Sequence, residues 1–168
     1  MLAAQDEFDR QLAHLTELGY PLAGDATRLR ARVVDLPASR VDPDVDVYQP
    51  IVDIPQQAYL LTNTDTGSEF CNVTPESAGA AITARGRTPL TIEEGIALVT
   101  LHPDMLRKNK CFSLAASRGK GQRVPAIWIS DRRPKLGWCW DRNPHTWLGT
   151  ASCGGRVPCE VADLAHYG

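Results

Sequence analysis

The chain has 168 residues, 43% of them hydrophobic and 23% charged, with a net charge of −2, the values of an ordinary globular domain rather than of a disordered chain or a membrane protein. At that length one core is enough, and folding can bury about two thirds of the surface that the unfolded chain exposes. No window approaches the ~18 consecutive apolar residues of a membrane helix, and the start, Met1-Leu-Ala-Ala-Gln-Asp-Glu7, places acids where a secretory signal carries bases, so a single cytoplasmic domain with no membrane partner is expected.

The first element is a helix over about 4–18, because Phe8, Leu12, Leu15 and Leu18 recur at helical spacing and Gly19 and Pro21 supply its stop. Asp25 can cap a second short helix over 26–34, with Leu29 and Val33 on one face and Pro37 beyond its end. Together these make a helical start over 1–34. Residues 35–56 then hold four prolines and five aspartates. That composition predicts an irregular wrap with room for one edge strand in the alternation Val41–Val47, since the prolines forbid a continuous ladder.

Residues 57–110 are expected to form one strand and two helices. Ala58-Tyr-Leu-Leu-Thr62 reads as a buried strand, ended by the turn-rich Asn63–Gly67. Thr74-Pro75-Glu76 sets an N-cap, an N1 proline and a first-turn acid in order, which predicts a helix over 75–84 ending at Gly86. Thr91-Ile-Glu-Glu94 is a capping box, which predicts a helix over 92–101 stopped by Pro103, with a short extra turn at 104–107. On that reading Glu93 and Glu94 are helix-start residues and not a general acid or base. His14 is a surface residue of the first helix, and His102 closes the last one.

From Cys111 the pattern changes to short apolar runs, Cys111–Ala116, Val124–Ser130, Leu136–Trp140 and about Thr146–Ser152, separated by polar turns. It predicts an antiparallel sheet of four to five strands over 111–155, followed by a tail over 156–168. Helices first and sheet second make the fold class α+β.

Charge is distributed unevenly. Residues 1–76 hold thirteen acids and five bases, a net −8, whereas residues 107–142 hold ten bases and two acids, a net +8. The basic segment could grip an anion, but the acidic one can neutralise it on folding, which weighs against nucleic acid. The five cysteines are odd in number and unpatterned, so free thiols are expected rather than a disulfide framework, and Cys153 and Cys159 lack structural-zinc spacing. No cofactor or metal is called for.

If Asp131–Lys135 is a five-residue hairpin loop, Trp128 faces Trp138, and Trp128, Trp138 and Trp140 share one face of the sheet. Such a face is either a platform for a flat ligand or simply core packing. The loop Ser117–Arg123 could hold an anion through its glycines and cations, or be a solvated tip; it lacks phosphate-loop spacing. The turn Asp141–Trp147 brings His145 beside the aromatic strands.

The stretches Glu94-Gly-Ile-Ala-Leu-Val-Thr-Leu-His-Pro103, Arg123-Val-Pro-Ala-Ile-Trp-Ile-Ser130, Pro134-Lys-Leu-Gly-Trp-Cys-Trp140 and Asn143-Pro-His-Thr-Trp-Leu-Gly149 resemble an uncharacterised family of small actinobacterial proteins, a domain of unknown function, over about residues 6–155. The resemblance implies a bacterial cytoplasmic origin and assigns no activity.

The residues themselves point to a non-enzymatic module for a small molecule or peptide: Trp128, Trp138 and Trp140 supply contact area, Arg118 holds an anionic group, and Asn143 and His145 orient the ligand. Two alternatives stay open. One is a hydrolase or transferase with His145 as base near Cys139 or Cys153, which requires a reachable thiol. The other binds nucleic acid or an anionic partner through Arg107, Lys108, Lys110, Arg118, Lys120, Arg123, Arg132, Arg133 and Lys135, which requires those cations to be contiguous.

Overall fold

The computed structural model describes residues 4–19 and 47–160. The helix expected over 26–34, most of the Val41–Val47 alternation and the end of the tail lie outside the described residues. The fold is α+β.

Helix α1, Ala4–Glu17, buries Phe8 and Leu12 against Leu60 and Cys159, and Gly19 follows it at φ 82°, the left-handed conformation that ends a helix at little cost in glycine. Helix α2, Pro75–Ala84, starts where the Thr74 side chain accepts from the Ser77 N–H and buries Ala78 and Ile82 against Phe70. Helix α3, Ile92–Leu101, opens in the expected capping box: Glu94 N–H donates to Thr91 Oγ1 at 3.2 Å and Thr91 N–H donates to Glu94 Oε1 at 2.8 Å. A 3₁₀ turn, Pro103–Met105, follows it.

The strands in chain order are β1 (Gln49–Pro50), β2 (Tyr59–Thr62), β3 (Thr88–Pro89), β4 (Cys111–Ser113), β5 (Ser117–Arg118), β6 (Arg123–Ser130), β7 (Arg133–Trp140), β8 (Leu148–Thr150), β9 (Ser152–Cys153) and β10 (Gly155–Pro158). The expected single antiparallel sheet is corrected in two respects. The four-stranded sheet has the order β7-β6-β4-β8, with β8 parallel to β4, and the other strands form the two-stranded pairs β1-β5, β10-β2 and β3-β9. Strand β8 passes β7 by and joins the far edge of the sheet. There Cys111 N–H donates to Trp147 O at 2.9 Å and Gly149 meets Gly67 so closely that a Cβ would lie 2.1 Å from the Gly67 oxygen. Parallel pairing is a non-local choice, and nothing within residues 146–152 encodes it.

The hairpin register is corrected as well. Asp131 and Arg132 have φ of 52° and 64°, so the turn has two residues with left-handed backbone at both. It pairs Ser130 with Arg133, Trp128 with Lys135 and Pro125 with Trp138. The five-residue loop expected over Asp131–Lys135 rests on the polar gap between the apolar runs Val124–Ser130 and Leu136–Trp140. Strand β7 lies at the end of the sheet order. Asp141 N–H donates to Gln122 O at 2.8 Å, so Arg133, Lys135, Gly137 and Cys139 aim their main chain at β6, and Pro134, which has no N–H, aims away from it.

The main core joins α3 to this sheet through Ile92, Ile96, Val99, Phe112, Leu114, Val124, Ile127 and Leu136. Gly95 lets α3 settle onto it, since a Cβ there would lie 2.3 Å from Leu114 Cδ2. No helix among the described residues is long and apolar enough to cross a membrane.

Candidate ligand-binding groove

Side chains alternate along a strand, so the observed register separates the tryptophans. Trp128 shares its face with Lys135 and Gly137, while Trp138 and Trp140 share the other face with Pro125 and Arg123. The expected three-tryptophan platform does not form.

On the Trp138 face, the indoles of Trp138 and Trp140 meet edge to face, with centroids 4.7 Å apart, and the Arg123 guanidinium lies 4.3 Å from the Trp138 centroid. Trp138 is half-buried, and Trp140 is 45% exposed. Arg118 is not available to an incoming anion, because it binds Asp141 through hydrogen bonds of 2.8 and 3.3 Å. Asn143 is exposed on the turn that follows, where its N–H donates to Trp140 O at 3.2 Å.

On the other face, Trp128 stands edge to face with Trp147 at a centroid distance of 6.2 Å. The His145 ring lies tilted on Trp147 at 5.1 Å. The Trp128 indole rests over Gly137, where a Cβ would lie 2.6 Å from its Cη2, so only glycine lets the ring come down onto β7. Lys135 Nζ is 5.6 Å from the Trp128 centroid. Trp128, Ile129, Thr146, Trp147, Lys108 and Asn109 line a groove of about 350 Å³ that opens to solvent.

Of the six residues expected to bind ligand, Trp128 lines this groove and His145 only backs its Trp147 wall, while Trp138, Trp140, Arg118 and Asn143 are not among the lining residues. Sequence reasoning left Trp147 and Asn109 out of the site and named Lys108 only for the anionic-partner alternative. Trp147 was legible as an aromatic residue two positions beyond His145, but the approach of the 107–110 segment to Trp128 was not.

The nine cations expected to meet an anionic partner divide between the two ends of the β6–β7 hairpin. Arg118, Lys120 and Arg123 lie at one end; Arg107, Lys108, Lys110, Arg132, Arg133 and Lys135 lie near the groove or at the hairpin tip. Arg142 reaches Glu76 at 3.2 Å, joining the basic and acidic segments.

The two thiols expected beside His145, Cys139 and Cys153, are poorly placed for catalysis. Cys139 is 8% exposed and Cys153 is fully buried. Burial pushes the Cys139 thiol up, against a partly opposing contact with Ser113 Oγ at 3.7 Å. Cys153 Sγ lies 3.5 Å from Thr88 Oγ1, and the His145 ring is engaged with Trp147. Among the described residues, no group of three His, Cys, Asp or Glu side chains is arranged to hold a metal ion.

A second polar cluster lies away from the groove. Glu94 and Arg156 form a buried ion pair, which Tyr59 joins by donating its hydroxyl to Glu94 Oε2 at 2.8 Å. Arg156 also donates to Thr88 Oγ1 at 2.6 Å and to Pro89 O at 3.0 Å. Burial acts to raise the Glu94 carboxyl, but Arg156 and the Thr91 N–H outweigh it and hold the group below its ordinary value. Burial and the Glu94 charge push the Tyr59 hydroxyl up. Every charge and donor in this cluster is met within the protein, which marks it as a brace between α3 and β10.

Residues 21–159 match the model of a family of unknown function, DUF5701, and the chain belongs to that family. No curated protein and no solved structure matches it. The groove and the buried ion pair both fall inside the matched segment, whereas α1 precedes it.

Proposed function

We propose that this protein is a non-enzymatic module that binds a small molecule or short peptide in the groove between Trp128 and Trp147. One observation carries the reading: two half-buried indoles on separate elements wall a hollow of about 350 Å³, a size within the usual ~300–1,000 Å³ of ligand sites. The burial of Cys139 and Cys153 supports binding over acyl or group transfer, because a nucleophilic thiol must be reached as a thiolate.

Proton–nitrogen correlation spectra of the tryptophan side chains test this with a panel of neutral aromatic fragments and short aromatic peptides. The indole N–H signals of Trp128 and Trp147 should shift while those of Trp138 and Trp140 stay in place, and Trp147→Ala should abolish the response. Shifts confined to Trp138 and Trp140, or no shift with any compound, would refute the assignment.

A further inference from the structure

We infer that the ligand of this groove is a planar ring that carries an anionic group, a phosphate or a carboxylate, with the ring against Trp128 and Trp147 and the anion at Lys108 and Lys135. The inference rests on the groove being a binding site and adds the chemical class of what it binds.

The argument begins with how this protein treats its other cations. Away from the groove Arg10, Arg85, Arg118, Arg142 and Arg156 each hold a carboxylate at 2.5–3.3 Å, while Arg87 and Lys120 form no ion pair among the described residues. Around the groove the pattern is different. Among the described residues Lys108, Lys110, Arg132, Arg133 and Lys135 form no ion pair, and two of them, on separate segments, stand at the hollow. Lys108 lines the groove itself, and Lys135 sits directly across the β6–β7 ladder from Trp128.

Lys108 and Lys135, which no carboxylate among the described residues engages, favour an anion from outside, and the low-dielectric indole walls strengthen that attraction. A cationic guest would be repelled. A wholly apolar guest would bury the indoles and leave the ammonium groups with nothing beyond water. The half of the guest that meets Trp128 and Trp147 must itself be flat and apolar, since indoles offer broad contact area and a single donor. A nucleotide base with its phosphate and an aromatic carboxylic acid share this chemistry. A free small molecule and a single-stranded nucleic acid are two sources of the first.

Calorimetric titration of the full chain tests the inference with matched pairs: adenosine 5′-monophosphate against adenosine, and naphthalene-2-carboxylate against naphthalene-2-carboxamide. At least one anion should bind, with its neutral counterpart weaker by about tenfold or more, the usual weight of a charge-assisted contact. Inorganic phosphate alone should give no measurable heat. The double variant Lys108→Ala, Lys135→Ala should bring the anion down to the affinity of its neutral partner, with an unchanged melting temperature. A single-stranded oligo-dA that binds far more tightly than the monophosphate, with a steep salt dependence, identifies the polymer as the source; equal affinity identifies the free molecule.

Neutral and anionic partners binding alike, in the native chain and in the double variant, would overturn the anionic class while leaving the groove a binding site. Neutral fragments shifting the Trp128 and Trp147 signals while neither anion binds would have the same meaning. Failure of every fragment would remove the site, and the inference with it.

Discussion

Glu94 and Arg156, 62 residues apart in sequence, meet through two hydrogen bonds, Nε to Oε2 at 2.6 Å and Nη2 to Oε1 at 2.9 Å, with side chains 3% and 7% exposed respectively. Glu94 thus closes the capping box of α3 and clamps that helix to β10 at once. Removing one partner strands the other charge in the interior, so Glu94→Gln or Arg156→Met should each cost about 3–5 kcal/mol in denaturant unfolding. Replacing both with apolar residues should cost less than the two single changes together, because no lone charge remains. Equal and additive losses would contradict the coupling.

The same pair sets an acid limit. The folded-state pKa of Glu94 lies below its ordinary value, so its contribution is complete above the unfolded value of about 4.3 and is lost as pH falls through the folded value. Unfolding free energies between pH 7 and pH 3 should decline below about pH 4. Glu94→Gln should show a shallower decline over that window, and an identical acid slope in both proteins would remove Glu94 as a source.

The two-residue hairpin turn places Arg132 at φ 64°, a conformation that costs a side-chain-bearing residue about 1–2 kcal/mol. Arg132→Gly should therefore raise the unfolding free energy by about 1 kcal/mol, read as a higher denaturant midpoint. In the five-residue loop first expected, no such gain would follow, and a loss of stability would count against the observed register.

Gly137 lies beneath Trp128. Gly137→Ala should displace the indole rather than the backbone, changing near-ultraviolet circular dichroism and weakening binding in the groove at a stability cost of about 1–3 kcal/mol from overpacking. Gly149→Ala presses on the main chain of Gly67 instead, so it should be the more damaging of the two by thermal unfolding.

The two aromatic clusters should separate by phenotype. Trp138 is half-buried beside Arg123, and Trp138→Ala should cost roughly 2–3 kcal/mol, less than the 3–5 of a fully enclosed aromatic, while groove ligands still bind. Trp147→Ala should abolish binding. A Trp138→Ala protein that loses the ligand while keeping its stability would restore the opposite face as the site.

The helix limits were legible because their causes are local. Thr74-Pro75, the capping box at Thr91–Glu94 and the stops at Gly19, Gly86 and Pro103 act within one turn of the residues they terminate. The sequence alone therefore determined α1, α2, α3, the mixed fold class and the strand-rich C-terminal half. Only the tertiary structure decided which face each tryptophan takes, that β8 runs parallel to β4, and that Glu94 has Arg156 as its partner. A strand carries no local mark of its register, and shifting the turn from five residues to two reversed the face of Trp128 relative to Trp138. The groove has the same origin: Lys108 and Trp147 flank Trp128 only because β4 pairs with both β6 and β8, and such pairing is settled by burial across the whole chain rather than by any residue's neighbours.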